Sequence, residues 1–315
     1  MTYDFAIIGG GIAGVSAAAR LAPLGKTLVL ESETSLAYHA SGRSAALFEE
    51  FYGAPTVVAL NQAGKSYLQT ANGGVLSDRG IMIVSHPGEE KRLSREAKAF
   101  GMDHISVAQA HSIVPILDTD KLTSAAYSSG AKDIDTDLLI QNFLREARAH
   151  NAEVRTDAKV TDIQKTPQGW RIQSGAETYT ANTLVNAAGA WADSIASMAG
   201  IAPLGLQPFR RSVARVPAPN GTTITHWPML FGINESWYAK PDAGQLIISP
   251  ADEDPHPPCD IWAEDITLAE GIARFSDSVT YEVTRMTANW AGLRTFAPDR
   301  TLVLGRDPQD TSFVW

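Results

Sequence analysis

The chain opens with a short apolar run, FAIIG, with no polar alternation. That pattern predicts a parallel strand buried on both faces. From Ile12 it becomes alanine-rich and helical and stops near Gly25. TLVLE then predicts a second strand ending at Glu31. SAALFEE reads as helical, SDRGIMIVSH as a turn and a strand, and EEKRLSREAKAF as an amphipathic, mostly solvated helix. DIDTDLLIQNFLREARAHN is a helix with Leu139, Ile140, Phe143, Leu144 and Ala147 on its buried stripe, and Asn151 can end it. Residues 153–186 carry four strand patterns, and the helix AWADSIASMAG follows, stopping at Gly200.

Beyond residue 201 prolines, aromatics and alternation dominate. RRSVARVP, SWYAKP, QLIISP and VTYEVTRMT predict the antiparallel sheet of a second domain, with ITLAEGIARFSDS a helix inside it. TLVLG reads as a return to the first domain. The expected division is a discontinuous dinucleotide-binding domain (1–78, 137–202 and 295–315) and a substrate domain (79–136 and 203–294).

Composition narrows the class. With 315 residues, 44% hydrophobic and 19% charged, the chain reads as a globular protein with a sizeable core. A net charge of −9 argues against nucleic acid as a partner. The single cysteine, Cys259, excludes an intrachain disulfide and suits a reducing compartment. The run from Ala6 to Ala19 is broken by glycines and too short to span a bilayer, so no transmembrane segment and a cytoplasmic location are expected.

Candidate chemistry begins at AIIGGGIAG. Gly9, Gly11 and Gly14 form G-x-G-x-x-G between a strand and a helix, the context in which that motif binds a dinucleotide. Gly9 makes the tight turn, Gly11 lets the backbone approach a pyrophosphate, and Gly14 lets helix and strand pack closely. Glu31, about 20 residues on, can accept from a ribose hydroxyl and would repel a 2′-phosphate, which leaves FAD and NAD open. Ser41-Gly42-Arg43-Ser44 could take another part of the phosphates or be a plain cap with a surface arginine. Ala187-Ala188-Gly189 again puts small residues where backbone passes a ligand. Asp133, Asp135 and Asp137 imitate a calcium loop, but Leu138 stands where glycine is required, so helix capping is preferred. The histidines are scattered, and no metal site or serine nucleophile is expected.

The blocks GGGIAG, YHASGRSAA, SIVPIL, DIDTD, LVNAAGAWAD, LGLQPFRRS, WPML, ESWYAKPDAG and WAGLRTF together resemble the FAD-dependent D-amino-acid oxidoreductases, which include the glycine oxidases. Within that family the likeness is strongest to the D-arginine dehydrogenase branch and runs from Tyr3 to Trp315. The resemblance implies non-covalent FAD, a glutathione-reductase-like α/β domain of Rossmann type and an α+β substrate domain on an antiparallel sheet. It implies flavin contacts at Gly9, Gly11, Ala13, Gly14, Glu31, Ser41, Arg43, Ser44, Gly189 and the adenine-side position Val160. It implies that Arg294 and Tyr238 hold the substrate carboxylate, with Arg211 and the loop residue Tyr52 as further site residues. The implied reaction passes the Cα hydrogen of a D-amino acid as hydride to flavin N5, and the imine hydrolyses to a 2-oxo acid and ammonia. No side chain is assigned as acid or base, and the acceptor that reoxidises the flavin is oxygen or quinone-like.

Two departures qualify this. Ile81 stands where the arginine-preferring branch has an acid, and Leu47 replaces a histidine. Apolar or uncharged side chains are therefore expected, unless Glu49 or Glu50 supplies a carboxylate from the loop. The resemblance also implies a glycine-rich turn and a long helix after the last strand, which a chain ending at Trp315 lacks. Two alternatives follow: a glycine- or sarcosine-type amine oxidase sharing Arg294, and a truncated fold that binds ADP or FAD weakly or not at all and is inert.

Overall fold

The computed structural model describes residues 2–219 and 221–315. A first sheet runs, in order, through strands Val160–Thr166, Gly169–Ser174, Glu177–Asn186, Thr2–Ile8, Thr27–Leu30 and Glu153–Arg155, and the short Phe313–Val314 pairs with Glu177–Asn186. Strands Glu177–Asn186, Thr2–Ile8, Thr27–Leu30 and Glu153–Arg155 are parallel. Their apolar runs do not alternate because both faces are covered. Ala6, Ile8, Leu28, Leu30 and Leu184 pack on one side with Trp170 and Phe313. Ile7, Val29 and Val185 pack on the other with Ala18 and Ala147. Helices Ile12–Leu21 and Thr136–Ala149 meet through Val15, Ala19, Ile140 and Phe143.

A second, larger sheet runs through Asp254–Pro255, Gln207–Val216, Gln245–Ser249, Tyr238–Asp242, Met229–Gly232, Ile81–Ser85, Ser124–Ser128 and Asp103–Ile105, with Ala288–Phe296 also against Gln207–Val216. It is antiparallel except where Met229–Gly232 lies parallel to Ile81–Ser85. Helix Asp265–Asp277 buries Leu268 and Phe275 against it. A small third sheet joins Leu47–Phe48, Lys132–Ile134 and Leu76–Asp78.

Three expectations are corrected. SAALFEE is not a helix: Leu47–Phe48 is a strand, because its backbone pairs with Lys132–Ile134. TLVLG forms no strand, and Leu302 and Leu304 stand in solvent; the return to the first sheet is made by Phe313–Val314. VTYEVTRMT is irregular after Val279, and the sheet resumes at Ala288. The helix Pro55–Thr70 carries no clear amphipathic stripe and buries none of its residues, so periodicity passes over it.

Candidate active site

The parallel strands Thr2–Ile8, Thr27–Leu30 and Glu177–Asn186 end on the same edge. That edge brings Gly9, Glu31 and Ala187 together, the usual crevice of an open parallel sheet. Gly9 turns at φ +107°, and a Cβ there would strike the Ala187 carbonyl. A Cβ on Gly14 would fall on the Gly9 carbonyl oxygen. On Gly11 it would press within 3.2 Å of Ser41 Oγ.

The helix starts with no side-chain cap on Gly11 and no acid in its first turn, where Ala13 is exposed. The Ile12 N–H donates to Ser41 Oγ at 3.0 Å, so the serine loop folds over the turn. Glu31 is buried, and its Oε2 accepts from the Gly10 N–H at 2.6 Å. A side-chain-free cradle, a helix N-terminus and a carboxylate fit the ADP half of a dinucleotide.

The other expected flavin contacts lie at varying remove. Gly189, at φ +54°, opens the short helical turn after Ala187 and Ala188. Val160 begins the strand reached just after Ala158, whose N–H donates to the Glu31 carbonyl. Ser44 Oγ accepts from the Ala46 N–H. The Arg43 guanidinium pairs with Asp260 at 2.6 Å and donates to the carbonyls of Tyr38 and Ala291. It therefore clamps the serine loop to strand Ala288–Phe296.

The second sheet places the arginines. Arg211 lies opposite Gly292 and Phe209 opposite Arg294, so Arg211 and Arg294 share a sheet face two positions apart. Arg210, one residue away, points to the other face and pairs with Asp252, Asp254 and Glu264. On the site face, Glu253 is shared by Arg211 at 3.1 Å, Arg294 at 3.6 Å and Arg300 at 2.9 Å. Arg211 Nε is buried with no hydrogen-bond partner. Burial pushes the Tyr238 phenol above its usual pKa against the pull of Ser249, Arg211 and Arg294, so it is a neutral donor at neutral pH.

Tyr238 packs with Ile81, Ile83, Leu47 and Phe231. These residues lead to a cavity of about 40 Å³ lined by Leu47, Tyr52, Ile81, Ile83, Phe100 and Phe231, with Glu49, Glu96 and Glu235. Leu47, Glu49 and Tyr52 also line a cavity of about 290 Å³ against helix Pro55–Thr70. All six expected substrate residues therefore fall into two neighbouring groups: Arg211, Arg294 and Tyr238, and Leu47, Tyr52 and Ile81. Sequence reading missed Glu253, Glu96 and Glu235. Glu253 sits in a run of acids, ADED, where nothing marks one as different. The other two are brought in by a solvated helix and a turn. Among the described residues no group of His, Cys, Asp or Glu could hold a metal ion, and no helix is long and apolar enough to cross a membrane.

Comparison with known proteins gives the family and the fold. Residues 4–315 match the family model described as FAD dependent oxidoreductase. Mitochondrial dimethylglycine dehydrogenase of Rattus norvegicus is 25% identical over 258 residues, 78% of this chain and 30% of that protein. Monomeric sarcosine oxidase of a Bacillus species is 22% identical over 234 residues, 67% of this chain and 57% of that protein. The chain thus spans under a third of the first relative's length. The crystal structure of glycine oxidase from Geobacillus kaustophilus superposes with a TM-score of 0.84 at 22% identity, covering 99% of this chain and 88% of that one. That likeness is one of fold.

Proposed function

The chain belongs to the FAD-dependent oxidoreductase family, and from that premise we propose that it oxidatively deaminates D-amino acids to 2-oxo acids and ammonia. One observation carries the reading: Arg211 and Arg294 share a face beside a neutral Tyr238 phenol, and Arg211 keeps a buried Nε donor without a partner. A guanidinium fork takes a carboxylate in two parallel hydrogen bonds, and a phenol adds a third. Two arginines and a phenol converging there suit an α-carboxylate better than a simple amine.

Gly9, Gly11, Ala13, Gly14, Ser41 and Glu31 would hold the ADP half of FAD. Bound FAD supplies the two-electron acceptor for the Cα hydrogen. The protein's part is orientation: a carboxylate fixed at one end presents Cα in a set pose. We assign 1–78, 137–202 and 295–315 to the FAD-binding unit and 79–136 and 203–294 to the substrate unit. Strands Thr2–Ile8, Thr27–Leu30 and 153–186 fall in the former, and most of the larger sheet falls in the latter.

The relatives named for sarcosine and dimethylglycine support a second reading, a secondary- or tertiary-amine oxidase that uses the same arginines. The side-chain cavity beside Tyr238 favours the first, because a substrate without a side chain leaves it unused. The purified chain loaded with FAD decides between them. Anaerobic addition of D-amino acids is expected to bleach the flavin absorbance, with L-enantiomers and sarcosine much slower. Faster bleaching by sarcosine overturns the D-amino-acid reading. Arg294→Lys is expected to lower kcat/KM by about 10- to 100-fold, the loss of one charged hydrogen-bonding pair.

A further inference from the structure

We infer that Arg43 is a positioning residue: its guanidinium pins the loop that folds over the glycine turn to the strand that carries Arg294, and so holds the substrate carboxylate's site in register with the cofactor cradle. This rests on the reading of Arg211, Arg294 and Tyr238 as the carboxylate end. The family resemblance implied a flavin contact at Arg43, but the guanidinium is engaged elsewhere.

All three of its nitrogens have partners. Nε donates to the Tyr38 carbonyl at 3.1 Å. Nη1 donates to the Ala291 carbonyl at 3.0 Å and to the Ile261 carbonyl at 3.4 Å. Nη2 donates to Asp260 Oδ1 at 2.6 Å. The Tyr38 ring lies 5.0 Å from the guanidinium carbon, and its hydroxyl donates to the other Asp260 oxygen at 3.3 Å. The Arg43 side chain is 16% exposed, so water screens these bonds little. That arrangement leaves no two-pronged fork for a phosphate.

Strand Ala288–Phe296 receives the loop along one row. Trp290, Gly292 and Arg294 alternate onto the face that Arg211 shares. Trp290 Nε1 donates to the Arg43 carbonyl at 3.1 Å. A Cβ on Gly292 would stand 3.6 Å from Arg43 Cβ and 3.9 Å from Ala40 Cα, so the loop lies directly on that face. Ala291 supplies the strand edge. Its opposite number, Ser212, gives its N–H to Asp252, so the Ala291 carbonyl turns away from Gln207–Val216 and meets Arg43. Arg294 follows three residues later.

The same loop reaches the cradle and the phenol. Ser41 Oγ accepts from the Ile12 N–H at 3.0 Å, and the Ala37 N–H donates to the Gly10 carbonyl at 3.1 Å. Lys240, two residues past Tyr238 on one face, donates to the Ala46 carbonyl at 3.1 Å. One loop thus ties the glycine turn, the Arg294 strand and the Tyr238 strand together, and Arg43 makes the middle tie. Transfer from Cα tolerates little misplacement: an error of about 1 Å can cost roughly 100-fold in rate. Loosening the tie therefore slows the reaction within the complex more than it weakens either ligand.

The test compares Arg43→Met, Arg43→Lys and Asp260→Asn with the parent, each loaded with FAD. FAD affinity is read by fluorescence. Affinity for propionate, a carboxylate with no amine to oxidise, is read from the change it makes in the flavin spectrum. Flavin reduction by saturating D-methionine is followed anaerobically by absorbance. Arg43→Met is expected to keep both affinities within about threefold and to slow reduction by about 10- to 100-fold. Arg43→Lys should recover part of the rate, since it keeps the charge opposite Asp260 and loses only the fork. Asp260→Asn, on a side chain 43% exposed, should slow reduction less and serves should Arg43→Met misfold. An affinity for FAD or propionate that falls more than about tenfold makes Arg43 a ligand-holding residue and overturns the inference. So does a rate that no variant moves, even with a lower melting temperature, and so does a parent flavin that propionate leaves unperturbed. Should no D-amino acid reduce the parent, the oxidation reading falls; a propionate-induced spectrum altered in Arg43→Met then leaves the positioning role standing, and an unaltered one overturns it too.

Discussion

Replacing Glu253 by Gln keeps the side chain's shape and removes the one charge that Arg211, Arg294 and Arg300 share. The expected result is a less stable protein that binds its substrate better. Glu253 is 34% exposed, Arg294 35% and Arg300 51%, so water screens these pairs. Each then belongs in the range of about 0.2–1 kcal/mol measured for exposed pairs. Arg211, at 11%, is the better shielded partner and sits at the top of that range. Together they give about 1–2 kcal/mol. The shift per kcal/mol shrinks as a chain lengthens and is below about 2–4 °C at this size, so the melting temperature should fall by a few degrees.

Substrate binding moves the other way, because a substrate carboxylate competes with Glu253 for Arg211 and Arg294. Removing the competitor should lower KM by about 3- to 10-fold, the equivalent of roughly 1 kcal/mol. Differential scanning fluorimetry and initial rates on one preparation test both halves. A KM that rises as the melting temperature falls would show that Glu253 positions the arginines for substrate, and the competition argument would be wrong.

Gly14→Ala drives a methyl group into the Gly9 carbonyl. It should cost about 1–3 kcal/mol and strip FAD from the purified protein; full flavin occupancy in that variant contradicts the cradle. Asp133 accepts from Arg79 Nε at 2.7 Å and from Lys240 Nζ at 2.9 Å, both on largely buried side chains. Asp133→Ala strands both cations and should cost about 3–5 kcal/mol in urea unfolding, against which a loss below about 1 kcal/mol would count. Burial pushes the Glu49 carboxyl above the usual carboxylate range, with Glu50 adding to the rise and Lys65 opposing it. The folded state therefore holds the proton more tightly than the unfolded one, and Glu49's contribution is fully present below the unfolded pKa, near 4.3, and is lost as pH rises through the folded value. Glu49→Gln should accordingly gain on the parent protein as pH rises above the unfolded carboxylate range; a stability difference that stays flat with pH refutes the assignment.

The parallel core was legible because its signal is local. FAIIG and TLVLE are apolar without alternation, which happens only when helices cover both faces, and the glycines between them have one backbone task each. The helix at Thr136–Ala149 was legible for the same reason, since its stripe and its cap at Asp135 lie within one stretch. SAALFEE misled because alanine, leucine and glutamate favour a helix, while the partner strand that claims Leu47–Phe48 lies more than 80 residues away. TLVLG misled because its apolar run matches that of TLVLE but no neighbouring edge receives it. The arginine end was half legible. A strand places consecutive residues on opposite faces, so Arg210 and Arg211 had to part, but only the pairing with Ala288–Phe296 says which one faces the site.

The charge layout gives the site a direction. One end gathers guanidinium groups around a phenol, and the other is a small apolar cavity. In the absence of substrate the arginine end is an electrostatic liability. The arginines are held by Glu253, a residue of the same loop as the structural acids Asp252 and Asp254. In the proposed function a substrate carboxylate relieves this by taking over from Glu253. A ligand threaded the other way would set its ammonium against two arginines. The arginine end therefore disfavours the reversed pose. That constraint is what a reaction at Cα needs, because the atom that loses hydrogen lies beside the carboxylate that the proposed arginines fix.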